Sequence, residues 1–312
     1  MTQLKPDAPP LHALGIDVGG TKIEAILLDA QGHELWRQRV PSPSGDYAAM
    51  LEAMAALADT ARAAVPGPLS IGLGTPGSST PDGRIKNANT QCLNGRPFAA
   101  DLAQRLGQPV RLANDANCLA LSEAVDGAGA GAGVGFAAII GTGPGAGIAI
   151  DGRVLTGPNQ LAGEWGHNPL PWREPADPWP DCYCGQQGCI ETVVSGPGLA
   201  AEHKARTGRS LSAEQIALAA AQGNAVYAAT IERWQHRMAR ALAHVINLLD
   251  PDVIVLGGGL SRVASSYEAV PAIWGRWVFS GGLKDPVRTV LRPAMHGDSS
   301  GVRGAAWLWR ER

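Results

Sequence analysis

Three groups of residues in this chain combine types and spacings that could do chemistry. The first is Gly15-Ile16-Asp17-Val18-Gly19-Gly20-Thr21-Lys22, an apolar stretch running into a glycine turn. Glycines there expose backbone N–H groups to a phosphate, Thr21 and Lys22 add a hydroxyl and an ammonium, and Asp17 at the strand end can hold Mg²⁺ through water. The spacing of a Walker A loop is absent, and an ordinary tight hairpin uses the same letters. A second glycine turn, Gly141-Thr142-Gly143-Pro144-Gly145, opens the other half of the chain in the corresponding place. Two facing phosphate turns suit a nucleotide clamped between domains.

The second group is Asn114-Asp115-Ala116-Asn117, where a strand gives way to a helix. A carboxylate at such a junction can accept a proton from a substrate hydroxyl as that oxygen attacks the γ-phosphorus of ATP. Capping the helix is the plainer use of either Asn114 or Asp115. The third group is Glu164-Trp165-Gly166-His167 followed by Cys182, Cys184 and Cys189. Three thiolates and an imidazole make a closed tetrahedral set for a structural Zn²⁺, and the C-x-C-x₄-C spacing lets one loop wrap the ion. Zinc at His167 would fix its loop and aim the Glu164 carboxylate at a bound substrate. Glu191, just past the last cysteine, is either a second carboxylate for sugar hydroxyls or a solvated surface acid.

The elements that must position these groups follow from periodicity. Leu11 to Val18 and Ile23 to Leu28 read as a hairpin, with a third strand over Leu35 to Val40. Tyr47 to Val65 is a helix closed by Pro66-Gly67, and Leu69 to Leu73 is a buried strand. Phe98 to Leu106 is helical, Val110 to Ala113 extended, and Asn117 to Val125 helical again. Val134 to Ile140 and Gly147 to Ile150 repeat the hairpin. Ile231 to Leu249 then forms a helix, with Ile231, Trp234, Met238, Leu242, Val245, Ile246 and Leu249 on one stripe, before strand Val253 to Leu256 and Gly257-Gly258-Gly259. Residues 1 to 10, with three prolines, read as a mobile tail.

At 312 residues the chain has room for two α/β domains with a cleft between them, or for one large domain. The balance of 26 Lys+Arg against 28 Asp+Glu gives no electrostatic reason to expect nucleic acid. No apolar run matches a membrane span and the first residues lack a signal-peptide layout, so the expectation is a cytoplasmic protein. The odd number of cysteines, three of them crowded together, points to metal rather than disulfides.

Taken in order, G-I-D-V-G-G-T-K (15 to 22), G-T-P-G (74 to 77), N-D-A-N (114 to 117), G-T-G-x-G-x-G (141 to 147), G-E-W-G-H (163 to 167), C-Y-C-G-x-x-G-C-I-E (182 to 191) and G-G-G (257 to 259) resemble the ROK kinases of the actin-like ATPase superfamily. The resemblance covers essentially everything after Leu11. It implies an α/β, actin-like (ribonuclease H-like) fold, with two α/β domains flanking a nucleotide and sugar cleft. The smaller domain would span 11–118 plus 296–312, and the larger, with the zinc-binding insertion, 119–295. It further implies that Asp115 is the general base and that Asn114, Glu164, His167 and Glu191 surround the sugar, joined by Gly77, Ser78 and Asn89. His167 would hold zinc through one ring nitrogen and a sugar hydroxyl through the other. Asp17, Gly19, Gly20, Thr21, Lys22, Thr142, Gly143, Gly257, Gly258 and Gly259 would hold ATP with Mg²⁺. A homodimer is implied as well.

Within the family, Lys86 to Asn89, Ala162 to Trp172 and His296 to Trp309 are similar to bacterial manno(fructo)kinases. The expectation is therefore phosphorylation of fructose to fructose 6-phosphate, with mannose or glucose weaker; the alternative is an N-acetylglucosamine or other N-acetylhexosamine kinase. A sugar-sensing repressor of the same family would need a helix-turn-helix ahead of the first strand, for which about ten residues are too few.

Overall fold

The computed structural model describes residues 12–279 and 285–310. The expected tail, and Leu11 as the start of the first strand, lie outside the described residues. In chain order the strands are β1 (His12–Val18), β2 (Lys22–Asp29), β3 (Glu34–Pro41), β4 (Leu69–Thr75), β5 (Ser78–Ser79), β6 (Ile85–Lys86), β7 (Arg111–Asn114), β8 (Val134–Ile140), β9 (Pro144–Ile150), β10 (Arg153–Val154), β11 (Val253–Gly257) and β12 (Val290–Pro293). The helices are α1 (Tyr47–Ala64), α2 (Phe98–Leu106), α3 (Asp115–Val125), α4 (Ile190–Val194), α5 (Gly196–Thr207), α6 (Ala213–Ala221), α7 (Ala225–Leu249), α8 (Ser266–Trp274) and α9 (Ser300–Trp307).

The chain divides into two units. The first comprises the described residues of Met1–Asp126, Thr156–Ala162 and Ser299–Arg312; the second comprises Gly127–Leu155 and the described residues of Gly163–Asp298. The first unit thus continues to Asp126, past the boundary at 118 read from sequence. The reason is that α3 runs on to Val125 and packs along α9. Residues 296 to 298 stay with the second unit, where Asp298 pairs with Arg262 at 3.2 Å.

The first unit's sheet has the order β3-β2-β1-β4-β7, antiparallel through β3-β2-β1 and parallel through β1-β4-β7. The glycine turn closes the β1–β2 hairpin, with Gly19 N–H donating to the Lys22 carbonyl at 3.0 Å. Parallel neighbours need helical crossovers, and α1 and α2 supply them. Alternation decides the faces. Leu14, Ile16 and Val18 of β1 and Leu69, Ile71 and Leu73 of β4 bury against Met50, Met54 and Leu57 of α1 and Phe98 of α2. On the opposite face, Gly15 and Gly72 let α9 lie directly on the sheet; a side chain at either would collide with the Val302 or Ala305 carbonyl. Gly304 of α9 in turn admits the backbone of α3 at Cys118. The helix that begins at Asp115 is therefore seated close on α9 at a glycine, and Ser300 Oγ donates to Glu123 at 2.8 Å further along it.

The second unit's sheet has the order β10-β9-β8-β11-β12 with the same pattern of antiparallel and parallel pairs. Phe136, Ala138 and Ile140 of β8 and Ile254 and Leu256 of β11 pack with Trp234, Met238 and Leu242 of α7. The stripe read along α7 is buried as expected except Leu249, which packs on the core while partly exposed. That helix begins at Ala225 rather than Ile231, capped by the Asn224 side chain accepting from Val226 N–H at 3.2 Å. β9 likewise begins at Pro144, paired with Ile140, rather than at Gly147. Among the described residues, no helix is long and apolar enough to cross a membrane.

Candidate active site

Within the first unit, Asp17 near the end of β1 lies in register with Glu24 of β2. Directly opposed residues of an antiparallel pair share a face, so two carboxylates stand side by side where like charges repel. Glu24 is buried, and Arg37 (2.5 Å), Arg39 (2.9 Å) and Lys22 (3.7 Å) compensate it. Lys22, expected at a phosphate, thus points its ammonium at Glu24. Burial first, and then the Asp115 and Glu24 charges, push the Asp17 carboxyl up to about 7, with Lys22 opposing. Asp115 is therefore a close electrostatic neighbour of Asp17. The buried Cys118 thiol, on the same turn of α3, is pushed up by burial and by both aspartates.

Asn114 caps α3, its side chain accepting from Ala116 N–H at 2.8 Å, and Asp115 in the first helical position also accepts from that N–H at 2.8 Å. Asn114 does more: its Nδ2 donates to the Gly77 carbonyl at 2.8 Å, joining the β7–α3 junction to the loop after β4. Gly77 has φ +80°, and a side chain there would strike Lys86 and Ala88. Ser78 is buried in the short β5–β6 ladder opposite Lys86, and Asn89 is exposed beside the buried Thr90. The expected sugar residues of this unit, Gly77, Ser78, Asn114 and Asp115, are thus linked by ladder and hydrogen bond. Asn89 reaches them only through the 86 to 90 segment.

In the second unit, Gly163 and Gly166 fold the G-E-W-G-H segment onto β9. Gly163, at φ +94°, abuts the Ala146 carbonyl and Gly166 abuts the Pro144 carbonyl. Between them Trp165 is buried edge-on to Phe136, ring centres 5.5 Å apart. Glu164 is left exposed and His167 half-buried. Glu191 lies in the first turn of α4, whose N-cap is Cys189. Burial raises the Glu191 carboxyl, with His167 opposing and Glu164 adding to the rise, so the three are neighbours. A side chain at Gly143 would come within 2.8 Å of a Glu191 oxygen, which sets the second glycine turn against that carboxylate. Gly258, at φ +80°, packs on the Ile140 backbone, bringing the glycines after β11 to the same strand ends. α5 also begins here: Gly196 N–H donates to the Gly141 carbonyl at 2.9 Å.

His167, Cys182, Cys184 and Cys189 place one ligand atom each within 4.8 Å of all the others. Cys182 Sγ lies 3.6 Å from His167 Nδ1 and Cys184 Sγ 3.7 Å from Cys189 Sγ. Tetrahedral zinc spaces such donors by about 3.5–3.8 Å, so the set fits Zn²⁺. The thiols fit chemically too: burial, followed by Cys184 and Cys182, pushes Cys189 up to about 12, a cost that a dication would relieve. His167 Nε2 is turned away from the cluster, 3.1 Å from the Tyr183 hydroxyl.

Three features escaped sequence reasoning. Glu24 carried a signal, an acid set within the apolar run of β2, but its pairing with Asp17 needs the register. Tyr183 sits between two ligands in letters and beside a third, His167, in space, without any spacing rule to mark it. The buried network in which Asp177 accepts from Arg240 at 2.6 and 2.8 Å, and Arg237 joins Asp177 to Glu202, had no signal at all.

A sequence model of the ROK family matches residues 13–312. The N-acetyl-D-glucosamine kinase of Salmonella newport (strain SL254) is 38% identical over 308 residues, covering 94% of this chain and 98% of that protein. Among solved structures, the ROK hexokinase from Thermus thermophilus superposes with a TM-score of 0.80 at 32% identity, over 95% of this chain and 96% of that one. A ROK family glucokinase from Streptomyces griseus, solved with glucose and AMPPNP, gives 0.76 at 27% identity, over 95% and 98%. The paired sheets and the ordered motifs agree with these likenesses: the chain has the actin-like ATPase fold and belongs to the ROK family.

Proposed function

We propose that this chain is an ATP-dependent sugar kinase with Asp115 as the general base and N-acetylglucosamine as the leading acceptor. The observation that carries the chemistry is the carboxylate of Asp115, held at the β7–α3 junction beside Asp17 and the phosphate-type turn. Asp115 takes the proton of the sugar hydroxyl as that oxygen attacks the terminal phosphorus, and transfer leaves ADP. Asn114 orients the acceptor alongside, while its bond to Gly77 holds the loop that carries Ser78. Asp17, Glu24 and Asp115 form a crowded acidic set that suits a dication, and Mg²⁺ held at Asp17 would neutralise phosphate charge. The turn at 19 to 22, Thr142-Gly143 and Gly257 to Gly259 are assigned to the nucleotide. The nucleotide analogue in the Streptomyces griseus glucokinase supports that part.

Glu164, His167 and Glu191 are assigned to sugar hydroxyls, with zinc at His167 supplying a fixed ring orientation. The likeness to N-acetyl-D-glucosamine kinases at 38% identity over 94% of the chain favours the N-acetyl sugar over the fructose expected from sequence. Fructose stays as the second reading because three stretches, 86 to 89, 162 to 172 and 296 to 309, are similar to manno(fructo)kinases. Steady-state kcat/KM for N-acetylglucosamine, fructose, mannose and glucose decides between them. The reading expects N-acetylglucosamine to lead; a lead for fructose by an order of magnitude would reverse it.

A further inference from the structure

Tyr183 is 83% exposed, yet its hydroxyl lies 3.1 Å from His167 Nε2, and the two rings meet edge to face at 5.2 Å. His167 Nδ1 faces Cys182 Sγ at 3.6 Å, so Nε2 is the ring atom left for any other partner. Once Nδ1 gives its lone pair to a cation, the neutral imidazole keeps its proton on Nε2, and that N–H donates to the phenol oxygen. It is also the atom assigned above to a sugar hydroxyl. One N–H makes one good hydrogen bond, so phenol and sugar compete for it.

We propose that Tyr183 is a specificity-determining gate on His167: in the sugar-free enzyme its hydroxyl holds the Nε2 position, and a sugar binds by exchanging its own hydroxyl for the phenol. The proposal rests on the reading that His167 contacts the sugar. Its exposure leaves the ring little packing to lose when it swings away, so the exchange costs chiefly the one hydrogen bond. A sugar that offers a hydroxyl there replaces it like for like. One that does not leaves the phenol in place and forfeits the contact.

The test is calorimetric titration of zinc-loaded, full-length protein with N-acetylglucosamine and with fructose, without nucleotide, for the native chain, Tyr183→Phe and Tyr183→Ala. Zinc content and steady-state kinetics are measured on each. Removing the competing hydroxyl should tighten binding of the preferred sugar about fivefold in Tyr183→Phe, with Tyr183→Ala within about twofold of it. Zinc stays bound, and the gain falls on KM rather than kcat. Unchanged or weaker sugar affinity in Tyr183→Phe at full zinc overturns the gate, as does zinc loss, which would make Tyr183 a packing residue of the metal loop. A native protein that binds neither sugar removes both acceptor readings on which the gate rests, a result distinct from equal binding by native and variant.

Discussion

In the first unit the reactive carboxylates belong to the sheet: Asp17 lies at the end of β1, and Asp115 directly follows β7. In the second unit, which runs its five strands in the same order, the strands matching β1 and β7 are β8 and β12; Gly141 follows the one and Ala294 the other, and the acids come from elsewhere. Glu164, His167 and Glu191 all belong to a segment inserted between β10 and β11. Strand ends inherit their positions from the ladder, whereas an insertion has to be fastened by its own contacts. Here those are the Cys/His cluster, the two glycines pressed onto β9, and the Asp177 carboxylate gripped by Arg237 and Arg240 of α7.

If the second unit depends on these fastenings, breaking them should cost more than local surface changes. Arg240 is fully buried, with its guanidinium on Asp177 and on the Trp172 carbonyl. Arg240→Leu leaves the Asp177 carboxylate with Arg237 as its remaining guanidinium partner, and the expected loss is about 3 kcal/mol of unfolding free energy. Denaturant unfolding measures it, and hydrogen exchange should rise across 163 to 191 first. Burial opposes ionisation of Asp177, but hydrogen bonds led by Arg240 bring its pKa down to about 2. A depressed carboxyl contributes stability above its unfolded range, and this portion is lost as pH falls towards 2.

A smaller effect is expected at the metal loop. Cys184→Ser should lower the zinc-to-protein ratio and reduce turnover by about 10–100-fold by loosening the segment that carries Glu164 and His167. Fully active native protein without zinc in metal analysis would remove this fastening from the account.

The smallest effect concerns the first unit. Asp17 titrates near 7 in the folded chain against an ordinary 3.8, so folding takes up a proton between these values. The stability that this proton supports is present at acid pH and is lost as pH rises through about 7. Melting temperatures of the nucleotide-free protein should carry that slope between pH 5 and 8, within about a few degrees. Asp17→Asn should flatten it. Parallel curves for native and variant would mean that the acidic cluster of Asp17, Glu24 and Asp115 is not coupled as described.

The same contrast explains what could be read from the letters. Glycine turns, the Asn114-Asp115 junction and the cysteine spacing are local, and each local pattern reports its own backbone shape. Tyr47 to Ala64 and Phe98 to Leu106 were equally legible, because apolar period and terminators agree there. What stayed hidden depends on register or on distant pairing: Glu24 opposite Asp17, Arg240 on Asp177, Gly304 under Cys118. The early start of α7 was masked by mixed letters ahead of Ile231, although Asn224 was a usable cap. The capping box of Ser212 and Gln215 would likewise have located α6.

The central claim is that one carboxylate on the first unit's sheet moves the proton in phosphoryl transfer. Asp115→Asn, assayed for ATP turnover with the preferred sugar and for sugar binding by calorimetry, addresses it most directly. The account predicts that kcat falls by about 100- to 10,000-fold while sugar affinity holds. Turnover within a few-fold of the native rate would contradict it.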